Sequence, residues 1–344
     1  MKFTVESEKI LKALTALNRI NLKVVNTILS NVKITQLDVN HIRLVASDMN
    51  TSIQYDVEAT DIEGEGILYN LANLTSIISR VKGDVSFDNG VIKGNKSKYK
   101  IPFSNTNEFP ELNFDYEQGN EYNLSELKNA ISKTLYATAI GTNGVISGVY
   151  FNADEVVATD GNRLVINQLK NKEEFILTKD FCLEIIKLFE GETVNICIQN
   201  SKVYVYNDDV VLVGLKMVGT FPNYKALLPK GFNYKVKFNR DDLMEALNML
   251  LPVMDTKAMI CELNIGKNNM AIKTNSTDSE GATDIDVKSN IDDVFSIGFN
   301  AQFLLDMLKN YNNDVEVKLI SDRTGTVFTD DKHFSLIMPV TLKK

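Results

Sequence analysis

"FTVESEKILKALTAL" (residues 3–17) returns twice along the chain, as "EYNLSELKNAISKTL" (121–135) and "KVKFNRDDLMEALNML" (235–250). The three stretches align with Val5, Tyr122 and Phe238 in register, 117 and 116 residues apart in a chain of 344. A period near one third of the length means that one supersecondary unit is used three times. Apolar residues recur at helical spacing in every copy: Ile10, Ala13, Leu14 and Leu17, then Leu127, Ala130 and Ile131, then Leu243, Ala246, Leu247 and Leu250. That pattern predicts an amphipathic helix with one buried stripe. Asn123 before Glu126, and Asn239 before Asp242, add the capping-box signature of a helix start.

A second helix is predicted halfway through each copy, in "YNLANLTSIISRV", "LTKDFCLEIIKLF" and "FNAQFLLDMLKNY". Asn70, Thr178 and Asn300 are the candidate N-caps, and Leu74/Ile77/Ile78, Cys182/Ile185/Ile186 and Leu304/Met307/Leu308 the apolar stripes. Between the helices, alternating segments such as "HIRLVASD", "VYVYNDDVVLVGLKM" and "VEVKLISD" read as antiparallel strands with one buried face. The fold class is α+β, with three similar domains, each two helices packed on antiparallel sheets. Phe-Pro segments near 109–120 and 221–234 mark the joints, so the domains are expected at 1–118, 119–233 and 234–344.

The net charge of −8 sets an average field that repels nucleic acid unless lysines and arginines gather on one face. Cys182, Cys197 and Cys261 are odd in number, form no CxxC pair and sit in apolar strings, which fits buried free thiols in a reducing compartment. His41 and His333, the only histidines, have no Cys or His nearby, so no metal site and no cofactor are expected. Charges run through "MKFTVESEKILKAL" where a signal peptide needs an apolar stretch, and no run approaches the ~18 apolar residues of a membrane span. A cytoplasmic protein without a membrane partner is the expectation.

"VVATDGNRLVINQL" (156–169) crowds Asp160, Asn162 and Arg163 around one glycine. Asp48 in "LVASDMNTSI" and Asn275 in "AIKTNSTD" stand at similar offsets from their own anchors. A catalytic acid would not recur three times, whereas an Asp or Asn opening a hairpin is what turn geometry favours, with Gly161 supplying a positive φ. "GVIKGNKS" (90–97) lacks the register of a phosphate loop and reads as a hairpin; "TDSEGATDID" (277–286) fails calcium-loop spacing and reads as a solvated strand end. No G-x-S-x-G or paired histidine supports a nucleophilic triad, and no catalytic residue is assigned.

Basic residues mark every predicted helix: Lys9, Lys12, Arg19 and Lys23; Arg80 and Lys82; Lys128 and Lys133; Lys179 and Lys187; Arg240; Lys309. Scattered charges are ordinary on a solvated helix face. If the copies face the same way, the cations form one lining and the acids lie elsewhere, an arrangement suited to phosphate contact without base reading.

"SGVYFNADEVVATDGNRLVI", "GTFPNYKALLPK", "IGFNAQFLLDML" and "FSLIMPVTL", with the opening "MKFTVESEKILKAL" and "NTILSNVKI", together resemble the bacterial DNA polymerase III beta subunits, the sliding clamps. The resemblance runs from end to end. It implies a non-enzymatic processivity factor, a head-to-tail homodimer closing into a ring of six domains, with helices lining a hole through which duplex DNA threads without sequence preference. Lys23, Arg80, Lys179, Lys9, Lys12, Lys128, Lys133 and the uncharged loop 139–143 fall where the family approaches DNA.

The same resemblance implies a groove in which the DNA polymerase III alpha subunit, the clamp loader, and other polymerases and repair proteins dock a short peptide. Its residues here are Ile146, Thr159, Gly161, Asn162, Arg163, Leu164, Pro222, Leu227, Leu336, Ile337, Met338, Pro339, Val340 and Leu342. An apolar floor with a few polar groups suits an extended peptide. Asn162 replaces a frequent His, Ala226 a common basic residue and Thr341 a usual Arg, while Lys343 and Lys344 extend past the customary end. Two other readings remain open from the residues alone: a peptide-binding scaffold that forms no ring, and a hydrolase using Asp160 and Arg163.

Overall fold

The computed structural model describes residues 1–21, 28–141, 144–275, 278–330 and 333–342. Six α-helices lie among them: α1 (Ser7–Asn21), α2 (Leu71–Ile78), α3 (Leu124–Ser132), α4 (Lys179–Leu188), α5 (Arg240–Leu250) and α6 (Ala301–Leu308). Each of the five assigned side-chain caps is in place. Asn70, Asn123, Asn239 and Asn300 accept from the amides of Asn73, Glu126, Asp241 and Phe303 at 3.0, 3.0, 2.8 and 3.1 Å, and Thr178 Oγ1 accepts from Phe181 at 3.2 Å. These bonds satisfy amides that have no partner inside the helix. Ile10, Ala13, Leu14 and Leu17 are fully buried, as are Leu127, Ile131, Leu243, Leu247, Leu304, Met307 and Leu308. At about 1.5–3 kcal/mol per large apolar side chain, the buried stripe outweighs helix propensity in deciding that these segments fold as helices.

The chain divides into two compact units. The first holds residues 1–126 and 183–216. Its five-stranded sheet runs in the order Thr60–Glu63, Lys2–Glu6, Asp84–Asp88, Val91–Gly94, Ser97–Lys100. Its eight-stranded sheet runs Asn120–Asn123, Thr193–Gln199, Lys202–Tyr206, Val210–Leu215, Thr51–Glu58, His41–Ser47, Asn31–Gln36, Gly66–Asn70. Helix α1 packs on α2 and on the strands His41–Ser47 and Thr51–Glu58.

The second unit holds residues 127–182 and 217–344 around one twelve-stranded sheet. Its order is Phe175–Thr178, Gly148–Phe151, Glu155–Thr159, Arg163–Gln168, His333–Ile337, Thr326–Thr329, Asp314–Leu319, Tyr234–Asn239, Glu280–Ser289, Asn269–Asn275, Ile260–Ile265, Phe295–Asn300. Helices α5 and α6 pack together, and α5 also covers the strands Tyr234–Asn239 and Glu280–Ser289. The hairpin expected in "GVIKGNKS" joins Val91–Gly94 to Ser97–Lys100.

The prediction of strands with one solvated face needs a correction. Val203, Tyr204 and Val205 are all buried, as is the run Val210 to Val213. Helices cannot cover both faces. The second face is closed by the segment 109–120, where Phe114 and Tyr116 pack on Cys197, Tyr204, Val211 and Val213. Tyr116 lies 5.3 and 4.3 Å, ring centre to ring centre, from Tyr204 and Tyr206, and the Tyr206 hydroxyl accepts from the Gly119 amide at 2.8 Å. The joint is therefore a strap that supplies core, not a free tether.

Two hairpin tips repeat bond for bond. Asp160 Oδ1 accepts from the amides of Asn162 and Arg163 at 2.9 and 3.0 Å, and Thr159 Oγ1 from that of Gly161 at 3.1 Å. In the first unit Asp48 Oδ1 accepts from Asn50 and Thr51 at 2.9 and 2.7 Å, and Ser47 Oγ from Met49 at 3.0 Å. Each tip then enters an equivalent pairing, Arg163 opposite Ile337 and Thr51 opposite Gly214. The turn needs a left-handed residue after the Asp, supplied by Gly161 at φ +90° and by Met49 at φ 73°. A Cβ at Gly161 would meet nothing within 4 Å, so only backbone strain opposes a side chain there. Gly161→Ala is expected to cost about 1 kcal/mol in urea unfolding, whereas Met49→Gly leaves stability within about 0.5 kcal/mol or raises it. A loss above about 1 kcal/mol from Met49→Gly would contradict this account of the turn.

Candidate functional site

The strands Glu155–Thr159 and Arg163–Gln168 form the hairpin, and the second strand pairs with His333–Ile337 from Arg163↔Ile337 to Asn167↔His333. Side chains alternate across a sheet, and cross-strand partners share a face. Leu164 and Leu336 therefore project together, into an apolar cluster with Val157, Ile166, Ile176, Val327, Phe221 and Tyr224. Arg163 and Ile337 project from the opposite face, and Ile337 belongs to the core beneath α5 and α6. Both sets lie in the second unit.

Around the Leu164–Leu336 cluster the other predicted residues take distinct places. Ile146 sits half-buried in the short 3-10 turn Val145–Ser147. Thr159 ends its strand, half-buried, while Gly161 and Asn162 are exposed at the tip. Pro222 is exposed, and Leu227 is 68% exposed at the end of the 3-10 turn Tyr224–Leu227. Met338, 40% exposed, donates its amide to the Asn162 carbonyl at 2.8 Å, tying the C-terminal segment to the hairpin tip. Pro339, Val340 and Leu342 are half-buried, and the Val340 amide donates to the Gly298 carbonyl at 2.9 Å. A Cβ at Gly298 would run into the Val340 carbonyl and into Leu342, so glycine permits the close approach. The exposed Leu227 and Met338 thus lie one and two residues along the chain from Leu228, which packs on the apolar cluster, and Leu336, which belongs to it.

Aromatic residues not named from the sequence complete the cluster. Tyr150 stacks on Phe221 with ring centres 4.8 Å apart, and its hydroxyl donates to Glu174 at 2.9 Å. Burial, with Glu174 adding to it, pushes the Tyr150 phenol up to about 12. Tyr224 donates to Glu155 and accepts from Asn152 at 2.5 Å, and Lys225 lies 3.4 Å from the same Glu155. Val157 could have been found from the period of two, since it stands two residues before Thr159.

Asp160 and Arg163 do not form a reactive pair. Arg163 is 7% exposed; its Nε lies 2.9 Å from Asp160 Oδ2, its Nη1 3.1 Å from Asp306 Oδ2, and its guanidinium 4.3 Å from the Phe303 ring centre. With both Asp160 oxygens also held by hydrogen bonds, the group fastens the hairpin to α6 rather than facing a substrate.

Beneath the same seam runs a directed chain of buried hydrogen bonds. The Tyr136 hydroxyl lies 3.0 Å from Ser335 Oγ, Ser335 Oγ 3.1 Å from His333 Nε2, and His333 Nδ1 2.6 Å from Asn167 Oδ1. Asn167 Nδ2 then donates to Thr134 Oγ1 at 2.8 Å, and Thr134 to the Ala130 carbonyl at 2.6 Å. Asn167 Oδ1 is thereby left to accept from His333 Nδ1–H, and a neutral ring then accepts at Nε2 from Ser335, which in turn accepts from Tyr136. Burial, reinforced by Lys133 and opposed by Asp330, lowers the His333 pKa to about 4.

The cations of α1 are not clear of acids, which corrects the expectation that the carboxylates lie elsewhere. Lys9 Nζ is 2.6 Å from Glu58 Oε2 and 3.8 Å from Glu6, Lys12 Nζ is 2.6 Å from Glu190, and Arg19 Nε is 2.7 Å from Glu184. The cause is packing: α1 lies along the strand that ends in Glu58. Lys309 and Arg240 likewise have Asp306 and Asp241 beside them at 3.4 and 2.5 Å. Arg80 instead donates to the Ser76 carbonyl and hydroxyl. Among the described residues no carboxylate pairs with Arg80, Lys82, Lys179 or Lys187. Lys128, Lys133 and Lys179 are half-buried. Lys23, the end of the loop 139–143, Lys343 and Lys344 lie outside the described residues.

Between the unfolded value near 6.5 and about 4, the unfolded chain takes up a proton on His333 that the folded chain refuses. Its contribution is therefore complete above pH 6.5 and declines by up to about 3 kcal/mol as the pH falls to about 4. Urea midpoints across this range should fall more steeply for the native sequence than for His333→Gln. Equal slopes would refute a buried neutral imidazole.

Comparison with known proteins adds three findings. Residues 225–341 match the family model "DNA polymerase III beta subunit, C-terminal domain". The beta sliding clamp of Haemophilus influenzae is 24% identical over 335 residues, covering 90% of each chain, and that of Vibrio cholerae is 22% identical over 379, covering 99% of this chain and all of the other. Among solved structures, the sliding clamp of Pseudomonas aeruginosa bound to griselimycin superposes with a TM-score of 0.92 at 22% identity, covering 99% of this chain and 100% of that one.

Proposed function

We propose that this chain, which belongs to the bacterial DNA polymerase III beta subunit family, works as a sliding clamp: it encircles duplex DNA and tethers the replicative polymerase, without enzymatic activity of its own. The observation that carries the reading is the end-to-end match in sequence and fold to beta sliding clamps. Three domains, 1–118, 119–233 and 234–344, build each protomer, and two protomers close head to tail. A heterologous contact that returns on itself after two protomers leaves a ring, so retention on DNA is topological and needs no base recognition. Arg80, Lys179, Lys128 and Lys133 contact phosphates through side chains that exchange partners, which permits sliding. The protein acts in the cytoplasm, in keeping with three buried free thiols.

The groove beside the hairpin docks an extended peptide from the DNA polymerase III alpha subunit, the clamp loader, and other polymerases and repair proteins. Leu164 and Leu336 with their cluster support the floor, Leu227, Met338 and Pro222 close over apolar ligand side chains, and the Gly161–Asn162 tip borders the site. Arg163 and Ile337 hold this wall from behind.

Loaded by a clamp loader onto nicked circular duplex, the protein should stay bound through gel filtration and be released once the circle is cut. Retention that is indifferent to linearisation would defeat the ring. Leu227→Asp should weaken binding of a peptide from the C-terminus of the polymerase alpha chain at least ~10-fold, by placing a charge against its apolar side chains, with the melting temperature unchanged.

A further inference from the structure

All three cations of α1 already have a carboxylate as neighbour, drawn from separate elements of the first unit: Glu58 from the end of a strand, Glu184 from α4 and Glu190 from the segment after it. Lys9, Lys12 and Arg19 fall at helix positions that share one face. Their partners outnumber them once Glu6 is counted. A phosphate approaching this face therefore meets carboxylates within 2.6–2.7 Å of every positive group, so each bond it makes is in competition with one and is set against its negative charge. The ends of α2 and α4 differ, since Arg80, Lys82, Lys179 and Lys187 pair with no carboxylate among the described residues.

We infer that α1 is a self-neutralised face, on which Glu58 and Glu190 act as built-in competitors of DNA phosphate, and that backbone contact falls mainly to the cations at the ends of α2 and α4. This rests on the clamp reading and adds to it how firmly the ring grips. The two lysine pairs are solvent-exposed, with side chains 49–71% accessible, so they open and close readily and hold the lysines back without locking them. The consequence is a weak, easily exchanged hold on the duplex in a protein whose retention comes from topology. A grip that added every α1 cation would slow sliding with no improvement in retention.

The test uses the full-length homodimer and a fluorescently labelled 30-base-pair duplex, with anisotropy titrations from low to moderate salt. Glu58→Gln combined with Glu190→Gln keeps the shape and hydrogen bonding of both side chains and removes their charge. That variant should bind about fivefold tighter at low salt, and the slope of log K against log salt should steepen by up to ~2, near 0.9 for each additional phosphate neutralised. Adding Lys9→Ala and Lys12→Ala in the same background should abolish the tighter binding, and Glu65→Gln with Glu111→Gln, which changes the net charge equally at two exposed carboxylates outside the α1 ion pairs, should not reproduce it. Unchanged affinity and slope in the Gln variant, with an unchanged melting temperature, overturn the inference, as does tighter binding that survives loss of the lysines. Should the Gln variant fail to fold, Lys9→Gln with Lys12→Gln in the native background provides the second arm: a loss as large as that from Arg80→Gln with Lys179→Gln overturns it, and a clearly smaller one supports it. Retention of the native protein on circular duplex separates the two failures. Retention with a flat result defeats only this inference, and no retention defeats the clamp reading itself.

Discussion

Five cross-strand pairs, from Arg163 against Ile337 to Asn167 against His333, make one continuous sheet out of two repeats. Much of the candidate site follows from that register. It turns Leu164 and Leu336 to one side, where they share a floor, and Arg163 and Ile337 to the other, where they are absorbed by the core. A slip of one residue would exchange the two sets and leave a guanidinium among apolar side chains. The Met338 amide reaches the Asn162 carbonyl because the pairing delivers the C-terminal segment to the hairpin tip.

The register is specified by polar groups as well as by apolar ones. The bonds from Tyr136 through Ser335, His333 and Asn167 to Thr134 give each of these polar groups a partner across the seam, so a shifted strand would leave buried polar groups unpaired. Arg163, Asp160 and Asp306 add a charged clasp between the hairpin and α6. A buried ion pair is weak evidence for stability and better evidence for a unique arrangement. In the first unit Thr51–Tyr55 pair with Gly214–Val210 in the equivalent register, but Ser52 and Gln54 stand where the second unit has Leu164 and Ile166. The apolar floor is interrupted there, and the strap with Phe114 and Tyr116 lies over it.

Local physics was readable from the residues; long-range partnership was not. Helix stripes and caps depend on neighbours three or four positions apart, and Asn70, Asn123, Thr178, Asn239 and Asn300 all cap as their spacing implies. The hairpin tip was legible too, because its bonds span two or three residues. Asp306 meeting Arg163, or Glu190 meeting Lys12, involves separations of 143 and 178 residues that no local pattern encodes. For the same reason a strand expected to be half solvated is buried on both faces by a segment that reads as a joint. The site residues came from family resemblance; the period of two then explains why neighbours in that set, Arg163 and Leu164, serve opposite faces.

Native-state hydrogen exchange at the seam tests the central claim most directly. If the pairing organises the second unit, the amides bonded between Arg163–Gln168 and His333–Ile337 share one opening free energy, equal to that of the unit's core. Exchange of the His333–Ile337 amides several kcal/mol more readily than those of the neighbouring hairpin would show a detachable strand, and would contradict the account.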